Sequence, residues 1–326
     1  MAKKNIGKGK NILVTGGYGF IGGNFIRFIK DNFPQHKITN IDKNGYASNP
    51  EYVKGLCDEE YELDLGRHTN ALDEVFKNSK KFDYIFHFAA ESHVDNSISG
   101  PSEFVQSNVV GTQNLLEHFR KSKYGKFIHV STDEVYGHLL DVFGLPFKER
   151  NKLSPRSPYS ASKAASDLLC LSYVETYNCN IVITRCCNNY GPGQHNEKFI
   201  PTIIDKLRKN QKVPIYGEGM NIREWIHVYD HCLGIWSVAT QGKKGIYNIG
   251  SGFELSNVEL VSIICQKMGK DMDESIRFVK DRLGHDFRYA IDSSKIQDEC
   301  LFELNYPNFE KEIEKVIEYY DEIPSR

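Results

Sequence analysis

Long apolar runs are missing from these 326 residues. The longest, such as "YIFHFAA" (84–90), fall far short of the roughly 20 residues that a membrane-crossing helix needs, so no such helix is expected. An excess of charge is missing too: 41 Lys and Arg against 43 Asp and Glu leave a formal net charge of -2, with no bias toward nucleic acid. Paired cysteines are absent. The eight, Cys57, Cys170, Cys179, Cys186, Cys187, Cys232, Cys265 and Cys300, are scattered without a C-x-x-C, so their spacing supports neither a metal site nor a disulfide framework. Several lie in apolar segments ("DLLCLSY", "VITRCCN", "VSIICQK"), where a thiol is a small buried hydrophobe. A reducing, cytoplasmic setting fits that usage. The basic start, "MAKKNIGKGK", has no apolar core behind it and reads as a solvated tail. Internal repeats and low-complexity segments are likewise missing. What remains, 40% hydrophobic and 26% charged residues, is the material of a soluble globular chain of one large domain or two ordinary ones.

Strand-like and helical patterns alternate through the first half. "NILVT" (11–15) leads into "GFIGGNFIRFIKDNF", where Phe20, Ile21, Phe25, Phe28 and Ile29 keep helical spacing. "KITNID" (37–42), "YELDL" (61–65), "YIFHFA" (84–89), "KFIHVST" (126–132) and "NIVITR" (180–185) read as further strands, with helices at "FVQSNVVGTQNLLEHFRK" and "SPYSASKAASDLLCLSYVETY". The alternation predicts an α/β fold with a doubly wound parallel sheet, whose ligands bind beyond the carboxyl ends of the strands. The pattern loosens at "NNYGPGQ", which reads as a break. We therefore expect a doubly wound, Rossmann-type domain over 1–187 and a smaller substrate-binding domain over 188–326, with about 225–250 ("GIYNIG" at 245–250) returning to the first.

"VTGGYGFIGG" places Gly16, Gly19 and Gly22 between the first strand and the first helix. That is the arrangement for a tight turn, close backbone approach to a pyrophosphate and a helix N-terminus aimed at negative charge. Glycines also serve plain turns; the strand before, the helix after and Asp42 at the end of the second strand give these their meaning. An acid there accepts hydrogen bonds from an adenosine ribose and repels a 2′-phosphate, which selects NAD over NADP, with Lys43 beside it pulling the other way.

"SPYSASK" carries Tyr159 and Lys163 four residues apart on one helix face. A phenol with a pKa of about 10 is a poor base, but an ammonium and a positively charged nicotinamide both favour its ionised form. The phenolate could then take a hydroxyl proton while hydride leaves for NAD. At "VSTDEVYG" (130–137) two acids, Asp133 and Glu134, follow the end of a strand.

Taken together, "ILVTGGYGFIGG", "HFAAESHVDNSI", "STDEVYG", "YSASKAASD", "NNYGP", "PIYGEGMNIREWIHVYDH" and "DRLGHDFRYAID" resemble the extended short-chain dehydrogenases/reductases, and among them the nucleoside-diphosphate-glucose 4,6-dehydratases. The resemblance implies that Tyr159, Lys163 and NAD oxidise C4 of the hexose. Glu134 then removes the acidified C5 proton, Asp133 protonates the departing 6-hydroxyl, and hydride returns to C6, while Thr132 bonds the 4-hydroxyl. The chemistry agrees: C5 and C6 are bonded neighbours, so acid and base must be close. An Asp that stays protonated near neutral pH needs its protonation equilibrium moved about a thousandfold, on the order of 4 kcal/mol, which burial and a neighbouring carboxylate supply. The acid pair also separates this reading from a related 4-epimerase or other extended-family oxidoreductase, and from a catalytically silent dinucleotide-binding protein, which needs none of these groups.

The same resemblance implies a cofactor set of Gly16, Gly19, Phe20, Ile21, Gly22, Asp42, Lys43, Asp64, Leu65, Phe88, Ala89, Ala90, Ser92, Ser107, Tyr159, Lys163 and Asn189. It implies a substrate set of Ser92, Thr132, Asn188, Lys198, Phe199, Pro214, Tyr216, Arg223, Asn257, Arg282 and His285 around a nucleotide sugar. The chain departs from the family at Gly45, where Thr is commoner, and at Leu283, where Pro is usual. A homodimer through helices near 101–122 and 158–177 is implied as well; nucleic-acid and membrane partners are not.

Overall fold

Ile12, Leu13 and Val14 have no solvent exposure, and a strand buried on both faces belongs in the middle of a sheet. The strand they form, β1 (Asn11–Thr15), pairs in parallel with β2 (Lys37–Asp42) on one side and β4 (Tyr84–His87) on the other. The computed structural model describes residues 8–67, 69–78, 81–281 and 284–322. Arg282, Leu283 and the first seven residues of the basic tail lie outside them.

Two compact units are formed. Within the described residues, the first draws on Met1–Ser131, Ser157–Thr184 and Ile235–Tyr247. Its seven-stranded sheet has the order β10-β6-β5-β4-β1-β2-β3, with β3 at Glu59–Glu62, β5 at Lys126–Thr132, β6 at Ile181–Cys186 and β10 at Gly245–Ile249. The β2–β3 and β4–β5 ladders are parallel as well. From β1 the order runs to β2 and β3 in one direction and to β4, β5 and β6 in the other. The switch point is thus between β1 and β4, where doubly wound sheets open a crevice at their carboxyl ends. Helices Phe20–Asn32, Gly111–Ser122 and Pro158–Tyr177 supply the layers, and Leu13, Ile85, Leu115, Phe127 and Cys170 share one core. Elsewhere in the unit Trp236 meets Phe33, Tyr84 and Phe86.

Three elements differ from the expected pattern. β3 starts at Glu59 and stops at Glu62, short of Leu65, because Asp64 accepts from Gly66 N (2.8 Å) in a tight turn that sends Leu65 into the core. The helix expected over 104–121 is interrupted by a π-helical turn, Val105–Val110, and just beyond it Thr112 Oγ1 donates to Asn108 O (2.6 Å). The break expected at "NNYGPGQ" instead opens with a short strand, β7 (Asn188–Tyr190).

The second unit draws on Thr132–Arg156, Arg185–Gly234 and Asn248–Arg326. There β9 (Ile222–His227) is flanked by β7, parallel, and β11 (Glu254–Ser256), antiparallel, while β8 (Val213–Tyr216) pairs in parallel with β12 (Ile276–Val279). Ile203, Leu207, Trp225, Leu260 and Ile313 lie in its core. Among the described residues no helix is long and apolar enough to cross a membrane.

Candidate active site

In the first unit the glycine turn is fixed by backbone, not by preference. Gly16 has φ +75, and a Cβ there would stand 2.6 Å from Ala89 N. A Cβ on Gly22 would fall 2.2 Å from Gly16 O, so the helix beginning at Phe20 can approach the turn only without a side chain. Gly19 caps that helix, Phe20 and Ile21 open it, and its first turn holds no acidic residue to compete for an anion. Gly17, passed over in the sequence reading, is equally constrained: its N–H donates to Asn40 Oδ1 (3.1 Å), and a Cβ would collide with that side chain. The cradle fits a pyrophosphate.

Asp42 ends β2 as a buried carboxylate accepting from Tyr18 N (3.0 Å), Asn44 N (2.8 Å) and Ser48 Oγ (3.1 Å). Burial raises its pKa and the three donors oppose that rise. Lys43, which pulled against NAD in the sequence, is paired with Glu91 (2.5 Å) and Glu103 (3.4 Å). Its charge is therefore compensated by these two carboxylates.

Of the remaining cofactor candidates in this unit, Phe88 and Ala89 lie against the glycine turn. Phe88 packs on Phe25, its N–H bonds Thr15 O (3.0 Å), and Ala89 N reaches Thr15 Oγ1 (3.4 Å). Ala90 is half-buried and Ser92 exposed beyond β4, and Ser107 is half-buried in the π-helical turn. Leu65 places its side chain in the core and offers its carbonyl to Asn114 Nδ2 (2.8 Å). Asn108, missed in the sequence, spans Glu91 N (2.8 Å), Glu91 O (3.0 Å) and Ser162 Oγ (2.8 Å), tying the loop after β4 to the helix that carries Tyr159.

That helix starts from Ser157, which forms a capping box with Ser160, and from Pro158 at its first position. Tyr159 and Lys163 follow one turn apart, both buried. Lys163 Nζ donates to Val130 O (2.8 Å) on β5. Behind them is a polar cluster of His87, between Thr15 Oγ1 (2.7 Å) and Thr112 Oγ1 (2.9 Å), and His129, 3.4 Å from Asp167. Burial, followed by the charges of His129 and Lys163, holds His87 well below the usual imidazole range.

In the second unit the chain leaves β5 through Thr132 into a 3₁₀ turn, Asp133–Tyr136. Thr132 Oγ1 donates to Asp133 Oδ1 (3.2 Å) and accepts from Glu134 N (3.3 Å). Asp133 is 2% exposed, and its Oδ2 has no hydrogen-bond partner among the described residues. Burial, then the neighbouring charges of Glu134 and Glu224, push its carboxyl well above the ordinary range. Glu134 is half-buried. The shift favours the protonated form of Asp133, beside a more open carboxyl at Glu134. Glu224 was not singled out from sequence, although it adjoins Arg223 in "REW". It accepts from Ser251 N (2.7 Å), Gly252 N (2.8 Å) and Ile291 N (3.0 Å).

Arg223 is buried, with donors to Ile222 O (2.7 Å), Phe287 O (3.3 Å) and Asp286 O (3.0 Å), and its guanidinium lies 4.4 Å over the Tyr289 ring. Tyr216 meets His285 edge-on at 6.3 Å, and His285 Nδ1 is 2.6 Å from Asp281. Pro214 sits in β8, Phe199 against the core, Lys198 at the cap of the helix Phe199–Arg208, and Asn257 at the start of the helix Asn257–Lys267. Asn188 opens β7, and Asn189 is held by His231 Nδ1 (2.8 Å) and Cys187 O (3.0 Å).

Residues 12–250 match the family model described as "NAD dependent epimerase/dehydratase family". The chain is 44% identical over 315 residues to the low-salt glycan biosynthesis protein Agl12 of Haloferax volcanii, covering 95% of this chain and 98% of that one. It is 42% identical over 320 residues to the dTDP-glucose 4,6-dehydratase of Streptomyces antibioticus, covering 95% and 92%. Among solved structures, DesIV from Streptomyces venezuelae, a dTDP-glucose 4,6-dehydratase with NAD and TYD bound, superposes with a TM-score of 0.90 at 41% identity over 96% of this chain and 97% of the other.

Proposed function

This chain belongs to the NAD dependent epimerase/dehydratase family, and we propose that within it the protein is an NAD-dependent nucleoside-diphosphate-glucose 4,6-dehydratase acting on dTDP-glucose. The observation that carries the reading is the acid pair: a buried Asp133, its carboxyl pushed toward the protonated form, beside a half-buried Glu134. A 4-epimerase has no proton to deliver to a leaving hydroxyl and no use for such a pair. Relatives 41–43% identical and named for dTDP-glucose favour thymidine over uridine.

Bound NAD supplies a reversible hydride acceptor. The glycine turn and the helix N-terminus at Phe20 would hold its pyrophosphate, and Asp42 its adenosine ribose. Tyr159, with Lys163 stabilising its ionised form, would take the proton of the sugar 4-hydroxyl, which Thr132 orients. The 4-ketone acidifies C5–H. Glu134 would remove that proton while Asp133 donates its own to the 6-hydroxyl, so that water leaves and the C5–C6 double bond forms. Arg223, with Lys198, Asn257, Arg282 and His285, would hold the nucleotide diphosphate. On this reading the first unit binds dinucleotide and the second binds substrate. We further propose a homodimer through the helices near 101–122 and 158–177, and the eight free cysteines fit a reducing cytoplasm.

The test is Glu134→Gln with dTDP-glucose. Oxidation at C4 should persist, seen as a single-turnover rise in reduced-nicotinamide absorbance. Release of the 4-keto-6-deoxy sugar should fall by about 10²- to 10⁴-fold. Unimpaired dehydration would remove Glu134 as the base. Competing UDP-glucose against dTDP-glucose by kcat/KM should favour the thymidine nucleotide.

A further inference from the structure

Arg223 occupies a site that holds its guanidinium from two directions. Along the edge, its terminal nitrogens donate to the carbonyls of Ile222, Phe287 and Asp286. Across the face, the guanidinium lies 4.4 Å over the ring of Tyr289. Main-chain acceptors alone restrain an Arg at its nitrogens and leave its plane free to tilt; a flat π surface beneath removes that freedom and attracts the cation through the ring quadrupole.

The ring is itself anchored. Tyr289 Oη donates to Asp286 Oδ2, and the other oxygen of Asp286 meets Arg156 Nε at 3.1 Å and His138 Nδ1 at 3.6 Å. The backbone joins in: Asn221 Nδ2 donates to Asp286 O (3.1 Å), Ile222 N to Phe287 O (2.7 Å) and Tyr289 N to Ile222 O (3.3 Å). Tyr289 and Asp286 are both buried. An apolar side chain could fill the volume of Tyr289, but it would give neither a π face to Arg223 nor a donor to a buried carboxylate. Burial and the nearby negative charges of Glu134 and Asp286 keep the phenol far above its ordinary pKa, so it stays a neutral donor.

We propose that Tyr289 is a positioning residue: its Asp286-anchored ring fixes the plane of Arg223 so that the guanidinium meets the substrate diphosphate already ordered. The proposal rests on the reading that Arg223 binds that diphosphate. Ordering the Arg before binding spares the complex the loss of its rotamer freedom, so the effect belongs in affinity more than in the chemical step.

The experiment is a double-mutant cycle on the NAD-loaded enzyme, with dTDP as the probe and calorimetric Kd as the readout. Tyr289→Leu is expected to weaken dTDP binding roughly 3- to 30-fold, the range set by a desolvated cation–π contact, and to raise KM for dTDP-glucose more than it lowers kcat. In an Arg223→Met background the same change should have no further effect on Kd. A wild-type Kd in folded Tyr289→Leu, or an equal loss in both backgrounds, would overturn the proposal. If Arg223→Met alone binds dTDP normally, it is the diphosphate reading that fails. Should Tyr289→Leu not fold, Tyr289→Phe decides. It keeps the ring and loses the anchor, and an unchanged dTDP Kd in that variant overturns the positioning role.

Discussion

The ammonium of Lys163 donates to the main-chain carbonyl of Val130 at 2.8 Å, from a side chain that is 4% exposed. That bond pins the helix carrying Tyr159 to β5, two residues before Thr132 in the chain. Lys163→Met removes both a charge beside the phenol and the donor to a buried carbonyl. We expect kcat to fall by about 10²- to 10⁴-fold and stability by about 1–3 kcal/mol. Tyr159→Phe should show the first loss with little of the second. Steady-state kinetics and urea unfolding of both variants separate the two effects.

In the proposed role, Asp133 would act as an acid only while protonated. Its pKa is raised by burial first and then by Glu134 and Glu224, so dehydration should fail as pH rises through that raised value. Glu224→Gln removes one negative neighbour and keeps an oxygen for Ser251 N and Gly252 N; the alkaline limb of the kcat profile should move to lower pH. A limb that stays in place would exclude Glu224 from tuning the acid. Stability carries the same sign. Above the ordinary carboxyl range the unfolded chain has released a proton that folded Asp133 keeps, so the native state loses ground until the raised pKa is passed. Asp133→Asn should flatten that part of the pH dependence of Tm, while costing at least about 100-fold in kcat.

Dinucleotide choice should follow Asp42. Its carboxylate is buried, ends β2 and would meet a 2′-phosphate with like charge. Asp42→Asn is expected to lower the NAD-to-NADP affinity ratio by roughly 10- to 100-fold, the worth of one or two charge-assisted hydrogen bonds. Competition of the two dinucleotides for dinucleotide-free protein gives the ratio directly.

Lys126 marks a purely structural site. Its Nζ donates to Val238 O (2.8 Å), Ala239 O (3.0 Å) and Gly242 O (2.6 Å), closing the last turn of the helix Val228–Gln241 onto β5. Lys126→Met leaves those carbonyls without their cation and should cost about 2 kcal/mol in urea unfolding, with the m-value unchanged. Below the transition, kcat should stay at the level of the unmodified protein.

Much of the framework was legible because it is written in short-range pattern. Phe20, Phe25 and Phe28 announce a helix by spacing alone, and Ile12, Leu13 and Val14 a buried strand. Asp64 and Asn108 show where such reading ends. Asp64 Oδ1 takes the Gly66 N–H just beyond the end of β3, and a π turn over Val105–Val110 breaks the regular helix; neither feature appears in hydrophobic period. β7, three residues long, is too short to leave a periodic trace at all.

By itself the sequence determined the glycine turn, the Tyr159–Lys163 stripe and the adjacency of Asp133 and Glu134, because each is fixed by covalent distance within one turn or loop. Only tertiary structure decided the electrostatics. It compensated Lys43 with Glu91 and Glu103, buried Asp133 away from water, set Glu224 on three backbone donors, and slid Tyr289 under Arg223. The physical reason is that charge and burial are sums over whatever the fold brings near, and the residues that decide them here stand tens of positions apart in the chain.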